Sequence, residues 1–445
     1  MNTYNLLKGH NLKLKGGPSK KIIEAPEGNF FAIQPCQFKG MKPKLLVKKG
    51  SNVKIGSPLF FDKTKDSVKI VSPVCGVVED IVLGKRRIVE RIVIKKEGEE
   101  SEPLNKYSLD SNQSEFKDFL LDSGLWSYFR QRPFSKVPDP SVKPRAIFLT
   151  MHQTGPFSLD LEDILEDCKQ ELLSGFKLLS TLTEGSVFLS LKKGSTFFSE
   201  SDLDGINMNY FGGPHPSGNI GVQIHHVEPI ANKDDLVYYI SAQDLVSIVK
   251  TFESGSYDFD KIVACGGTGL ENPSYYRIKR GSLIKDITGD VDTDKYRIIS
   301  GDVLSGEIAD LEDSLNSFDE VLSIIPEIQE REFVGWALPG LKKYSLSNTF
   351  VSSAVGLEDS DLETGLNGSI RAIIPFGRWE RVLPMDIFPD FLVKSILSQD
   401  IEQMEKLGIY ECDPEDFALC SFVCQSKVEV SQIINDGLEL LEREG

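Results

Sequence analysis

The sequence contains no apolar run near the roughly 18 consecutive residues that a membrane-spanning helix requires, so a span is not expected. Its amino terminus, MNTYNLLKGHNLKLKGG, is polar and glycine-rich and lacks the apolar core of a signal peptide, which argues against export. Cysteine is sparse: seven in 445 residues, an odd number without framework spacing, which excludes a disulfide-stapled fold and fits reduced thiols in the cytosol. Internal repeats and low-complexity tracts are absent, so a solenoid or a disordered chain is excluded. No Walker loop, nucleophile elbow or paired-carboxylate motif occurs, which removes P-loop nucleotide hydrolysis and the common hydrolase chemistries.

A chain of this length is too long for one compact core and implies about three or four domains. Its net charge of -17 is uneven: residues 1–100 carry 20 Lys or Arg against 10 Asp or Glu, and the remainder carries 30 against 57. A basic first domain on an acidic body disfavours nucleic acid as the main partner. It fits a face near anionic lipid or an acidic protein, or a solvated lysine-rich β surface.

Residues 1–100 alternate short β-branched runs with Gly and Pro turns and read as β-rich. Within them, V-K-x-G half-strands at Gly50 and Gly56 and a Pro-x-x-Gly turn from Pro73 to Gly76 form the pattern of a biotinyl or lipoyl carrier domain. Such a domain presents its modified lysine as Asp-Lys-Ala or Met-Lys-Met at a hairpin tip. The tip here is Lys63-Thr-Lys-Asp66, so a structural use of the fold is expected rather than a swinging arm. A polar linker and a helix around Phe116, Phe119 and Leu120 fill 101–139. Residues 140–258 alternate strands (RAIFLTM at 145–151, DLVYYI at 235–240) with helices, and KIVACGG at 261–267 reads as a next strand, which implies a mainly parallel, helix-covered sheet. Ser158 is expected to cap a helix burying Leu161, Ile164, Leu165, Cys168 and Leu172, and Ser241 with Asp244 to cap another. Short strands return over 259–345, and 346–445 turns helical, with twelve acids and three bases from Asp400 onward.

Two glycine-rich loops invite a phosphate-binding reading, because backbone amides freed by glycine can cradle phosphate at a helix start. Gly266-Gly-Thr-Gly269 follows a strand, but Asn272 and Pro273 stand where the fingerprint needs its last glycine. In the loop from Phe211 to Gly221, Pro214 and Pro216 remove donors. Four of five histidines, His152, His215, His225 and His226, fall in the α/β region, where they could bind a metal or hydrogen-bond a quinone carbonyl, or serve as ordinary hydrogen-bonded histidines. Cys412, Cys420 and Cys424 lack a fourth ligand and tight spacing, so buried thiols are expected there.

Taken together, GMKPKLLVKKGSNVKIGSPLFFDK, FGGPHPSGNIGVQIHHVEP, NPSYYRIKRGSL, REFVGWALPG, FGRWERVLPMDIFP and DPEDFALCSFVC resemble, in order along nearly the whole chain, the family of A-type subunits of the Na+-translocating NADH:quinone reductases, the NQR complexes. The resemblance implies an α/β multidomain chain. Its parts are an N-terminal biotinyl/lipoyl-like barrel-sandwich domain (1–100), a Rossmann-like α/β domain (140–258), a ubiquitin-like β-grasp, SLBB-like domain (259–345) and a C-terminal helical domain (346–445).

It also implies a peripheral position on the cytoplasmic face of a bacterial inner membrane, with five partner subunits, chiefly a membrane-embedded one. No redox cofactor is implied for this chain; FAD, an iron-sulfur centre, FMN and riboflavin are implied for the partners. No catalytic residue carries over, and His152, His215, His225 and His226 stand as candidates for a quinone pocket. The competing reading is a soluble redox protein binding flavin or dinucleotide in its α/β domain.

Overall fold

The computed structural model describes residues 2–107, 113–328, 338–341, 343–344, 346, 350–355 and 362–444. Most of the REFVGWALPG motif, 331–337, lies outside them. The barrel is built from β3 (Phe30–Ile33), β4 (Pro43–Leu45), β5 (Asn52–Val53), β6 (Pro58–Asp62), β7 (Lys65–Val71), β8 (Gly76–Leu83) and β9 (Val89–Lys96). They form two small sheets, β3-β9-β8-β5 and β4-β6-β7, closed over Phe31, Leu59, Phe60, Val78 and Ile94.

Asp62 fixes the β6–β7 hairpin tip by accepting from the Thr64 N–H (3.0 Å) and the Lys42 N–H (3.1 Å). Lys65, at that tip, lies 3.7 Å from Asp139 and is committed to an ion pair. Peptides containing Lys63 or Lys65 are therefore expected to show the unmodified mass by mass spectrometry; an added biotin or lipoate would overturn the structural use of the barrel.

The α/β sheet has the order β1-β13-β12-β11-β14-β10, from β1 (Asn2–Asn5), β10 (Arg130–Arg132), β11 (Ala146–Thr150), β12 (Ser186–Lys192), β13 (Ile206–Gly212) and β14 (Val237–Ser241). Only β10 runs antiparallel. Period-two alternation sends Ile147 and Leu149 to one face and Ala146 and Phe148 to the other, and both faces are covered. The first cover is α1 (Gln113–Asp122), α3 (Lys169–Leu182) and α5 (Ala242–Ser254). Gly175 lets α3 approach α5 closely, since a Cβ there would sit 2.6 Å from Leu245. The second cover is α4 (Ile220–Val227) with the C-terminal helices α8 (Pro389–Leu397), α9 (Ile401–Lys406), α10 (Ala418–Val423) and α11 (Val430–Glu444).

The third sheet, β18-β17-β19-β15-β16-β2, joins β2 (Ser19–Glu24), β15 (Asp260–Gly266), β16 (Ser274–Lys279), β17 (Tyr296–Ser300), β18 (Glu307–Ile308) and β19 (Val321–Pro326), with the short helix α6 (Ile284–Thr288) beside it. A one-turn helix, α7 (Ser352–Val355), follows it in the chain.

Three expectations change. β1 and β2, expected within the first β domain, pair instead with β13 and β16, and β10 leaves the expected linker to close the α/β sheet. The strand KIVACGG opens the third sheet instead of extending the second, because its neighbours are β16 and β19. Asp160, not Ser158, caps α2 (Leu161–Ile164), and the helical phase breaks at Leu165 (φ -108°). Cys168 consequently ends a 3-10 turn and is only half-buried. Ser241 does cap α5, accepting from the Asp244 N–H at 3.1 Å.

Candidate functional site

In open α/β sheets ligands bind beyond the carboxyl ends of the strands, where the strand order reverses. Here that place lies between β11 and β14, and it is filled by the protein itself. Gln243, in the first turn of α5, donates to the Ile262 carbonyl (2.9 Å) and accepts from the Ile262 N–H (2.8 Å), filling a ladder position on β15 before β19 begins. The buried Glu320 carboxylate accepts from Gln243 (3.0 Å) and from Gln153, the side chain just past β11. Phe157 packs against Gly266, whose Cβ would meet its ring at 2.5 Å. The Asp244–Arg280 ion pair, buried on both sides, ties α5 to the loop after β16, and the Arg280 guanidinium lies 4.4 Å from the Tyr128 ring.

The amides of the glycine loop are likewise committed. Gly267 N–H donates to the Gly16 carbonyl (2.9 Å) and Gly269 N–H to the Ile324 carbonyl (3.1 Å). Glycine is needed at 267 because φ is +114° and a Cβ would lie 2.0 Å from the Ile324 oxygen. In the loop from Phe211 to Gly221, His215 N–H donates to Asn11 Oδ1 (2.7 Å) and Gly218 N–H to Thr154 Oγ1 (2.9 Å). The segment after β1 thus lies across the end of β13, and His10 N–H donates to the His215 carbonyl (2.8 Å).

The four candidate histidines form two separate pairs. His152 and His215 lie in the loops after β11 and β13, each bonded to a side chain of the other loop. The Ser217 hydroxyl donates to the Gly213 carbonyl (3.1 Å), so it accepts from His152 Nε2 (3.3 Å). Thr154 Oγ1, which accepts from Gly218, also lies 3.3 Å from His215 Nδ1. Burial, with Lys192 nearby, lowers the His152 pKa to about 4, and burial also lowers that of His215 against an opposing pull from Asp302. Both rings are therefore neutral at pH 7.

The other pair belongs to a joint with the C-terminal helices. His225 Nε2 accepts from the Asp386 N–H (2.9 Å), so Nδ1 donates to Glu411 (2.6 Å), while His226 Nε2 donates to the Pro384 carbonyl (2.8 Å).

The neutral state of His152 has a measurable consequence. Its folded pKa lies below the unfolded value near 6.5, so the unfolded chain binds the extra proton and stability falls as pH drops from about 6.5 to about 4. His152→Gln is expected to flatten urea-unfolding stability across that window by up to about 3 kcal/mol. An unchanged acid slope would sink the assignment.

A cleft of about 680 Å³ lies elsewhere, where the barrel meets the end of α5, lined by Ile55, Pro73, Lys250, Tyr257, Phe259 and Lys279. None of the histidines lines it. Tyr257 and Phe259 stack there at 5.2 Å. Its walls come from three distant stretches without a shared motif, which is why no sequence signal marks it. Cys412, Cys420 and Cys424 are buried free thiols, and among the described residues no group of three His, Cys, Asp or Glu side chains could hold a metal ion. No described helix is long and apolar enough to cross a membrane.

Family models described as the NqrA N-terminal barrel-sandwich hybrid domain, the NqrA second alpha/beta domain and the NQRA C-terminal domain match residues 4–97, 111–257 and 262–310. A protein from Marinomonas sp. (strain MWYL1), named as the A-type subunit of a Na(+)-translocating NADH-quinone reductase, is 37% identical over 448 residues, covering 99% of this chain and 100% of that one. The chain belongs to the NqrA family, the A-type subunits of the Na+-translocating NADH-quinone reductases. Members of the same name from Tolumonas auensis and Rhodopirellula baltica are each 35% identical, with 98% of this chain covered and 99% and 98% of theirs. The fold class expected from the resemblance holds: a barrel-sandwich domain, an α/β domain, an SLBB-like β domain and a helical C-terminal part. In this NqrA-type chain the crevice that such an α/β domain usually offers to a ligand is where three of its parts are fastened together.

Proposed function

We propose that the chain works as the peripheral NqrA component of a respiratory Na+-translocating NADH:quinone oxidoreductase, as a scaffold that holds no redox group of its own. Near-full-length identity to relatives carrying that name supports membership of the complex. The observation that carries the scaffold role is the committed crevice, where Gln243 and Gln153 bond Ile262 and Glu320; in the glycine loop after β15 the amides of Gly267 and Gly269, which a phosphate would need, are likewise bonded to Gly16 and Ile324. FAD, an iron-sulfur centre, FMN and riboflavin belong, on this reading, to the partner subunits, chiefly around a membrane-embedded one. The chain sits on the cytoplasmic face of the inner membrane through those partners.

The purified chain is expected to be colourless and to sediment with membranes only when the membrane subunits are present. A stoichiometric flavin spectrum, or protection of the α/β domain from proteolysis by NADH, would favour a soluble flavin- or dinucleotide-binding protein and sink the scaffold.

A quinone step on this chain is the second reading, favoured by the neutral, hydrogen-bonded pair His152 and His215 at the strand ends. A quinone analogue seen beside them in the assembled complex would support it, and density confined to a membrane-embedded partner would remove it.

A further inference from the structure

The β8–β9 hairpin outgrows the sheet that holds it. Strand β3 pairs with β9 only from Ile92 to Lys95, and β5 pairs with β8 only at Gly76 and Val77, so past Ile81 and Ile92 the two strands have only each other in the ladder. The projecting end reads Leu83-Gly-Lys-Arg-Arg-Ile88. Leu83 and Ile88 are 52% and 62% exposed, and Lys85, Arg86 and Arg87 are exposed beside them. Gly84 N–H donates to the Ile88 carbonyl (2.8 Å) and Ile88 N–H to the Lys85 carbonyl (3.3 Å), which closes the turn.

That turn breaks a local rule. Arg86 and Arg87 both hold positive φ, 58° and 59°, the left-handed pair that a type I′ turn requires and that Asn-Gly adopts with least strain. Strained residues that a fold retains point to a function of the segment that carries them.

Charge and shape name the occupant. Lys85, Arg86 and Arg87 make no ion pair among the described residues. The acid at the tip is Glu90, which lies over Gly84, where a Cβ would meet its Oε1 at 1.9 Å. The tip thus sets three cations against one anion. At the foot of the projection Asp80 pairs with Lys49 (3.3 Å) and Asp313 with Arg91 (2.8 Å), and Glu79 stands further down β8. Leu83 pairs with Val89, so the pleat sends Ile88, next to Val89, to the opposite face. Aliphatic side chains on both sides of a convex, cationic tip suit immersion among lipid headgroups, whereas a protein surface would cover one face and leave the other in water.

We propose that the β8–β9 tip is a lipid contact of this chain's own, in which Leu83 and Ile88 enter the headgroup layer of an anionic bilayer and Lys85, Arg86 and Arg87 bind its phosphates. This goes beyond attachment through partners and rests on the reading that the chain works at a membrane. Two aliphatics and three cations bind a bilayer only marginally, so the tip orients an attached chain and does not hold an isolated one on washed membranes.

The test uses the purified full chain with p-benzoylphenylalanine at position 88, mixed at low salt with vesicles of phosphatidylglycerol and phosphatidylcholine. Irradiation is expected to add lipid to the peptide of the tip, and high salt or pure phosphatidylcholine to remove most of the adduct. No adduct, an equal adduct on pure phosphatidylcholine, or an equal adduct from the same probe at Phe391 on α8 overturns the tip. In cells that assemble the complex, position 88 is expected to label lipid; labelling of a partner protein overturns the bilayer as occupant.

Arg86→Asn with Arg87→Gly removes two cations and relieves the turn. The double variant is expected to need roughly thirty-fold more lipid for half-maximal labelling, yet to unfold at the same or higher urea concentration. Unchanged labelling, or unfolding at clearly lower urea, overturns the assignment. A chain that labels anionic vesicles through its tip but joins no membrane-embedded partner would overturn the proposed function and leave the lipid contact standing.

Discussion

Replacing Arg132 by methionine is expected to lower unfolding stability by about 3–5 kcal/mol, the usual result of removing one partner from a buried ionic cluster. Arg132 ends β10 and is 1% exposed. Its Nη2 lies 2.7 Å from Glu415 and its Nη1 3.2 Å from Asp413, in the 3-10 turn that leads into α10. Asp416 lies 3.6 Å from Nη1, is fully buried and has no hydrogen-bond partner at either oxygen among the described residues. The guanidinium thus faces three buried or half-buried acidic side chains where the α/β sheet meets the C-terminal helices.

The pH dependence gives the variant a signature. Burial holds the Asp416 carboxyl well above the ordinary carboxylate range, so the folded state keeps a proton that the unfolded state releases near pH 4. Stability therefore falls as pH rises through that window, and removing Arg132 extends the window upward. The loss in Arg132→Met should be larger at pH 8 than at pH 5 in urea unfolding. Adding Asp416→Asn should recover part of it, because a neutral amide needs no counter-charge. Equal loss at both pH values, or no recovery, would show that the three carboxylates and the guanidinium are not coupled.

The second large effect is expected at Gly267, where Gly267→Val should cost about 3–5 kcal/mol from backbone strain and overpacking together. Two backbones cross there: the Gly16 carbonyl takes its N–H, and the Ile324 oxygen occupies the space of a side chain. Gly50→Ala separates strain from crowding, because Gly50 has φ +83° but nothing within 4 Å of a Cβ. That variant should lose only about 1 kcal/mol. Similar losses in the two would mean that conformation alone, and not the crossing, demands glycine at 267.

Much of the fold was legible. The β6–β7 hairpin, the buried strands β11 and β14, and the Ser241 cap follow from local rules: turn chemistry, continuous apolar runs and a side chain that meets a free amide. The missing carrier lysine was equally local, since a hairpin tip is a few residues long. Strands β1, β2 and β10 were not placed correctly, because their partners lie far along the chain and short strands carry no label of the sheet that will take them. The KIVACGG strand was read as a continuation of the second sheet by its pattern but lies within the 259–345 domain that the resemblance implied: an apolar run reads alike in either sheet.

Among the candidate histidines, the sequence offered the residues but not their grouping. His225 and His226 are adjacent in sequence and share a helix end, yet their hydrogen bonds go to Glu411 and Pro384, more than a hundred residues away. The loops of His152 and His215 come together only because the parallel strands β11 and β13 finish at the same end of one sheet.

The sequence by itself determined the family, the domain types, the absence of a carrier signature and the failure of the nucleotide fingerprint, because each is written in residue identity at fixed short spacing. The tertiary structure alone decided what fills the crevice of the α/β sheet. Gln153, Gln243 and Glu320 come from separate stretches, and only the packing of one sheet against another brings their hydrogen bonds to the place a ligand would otherwise occupy.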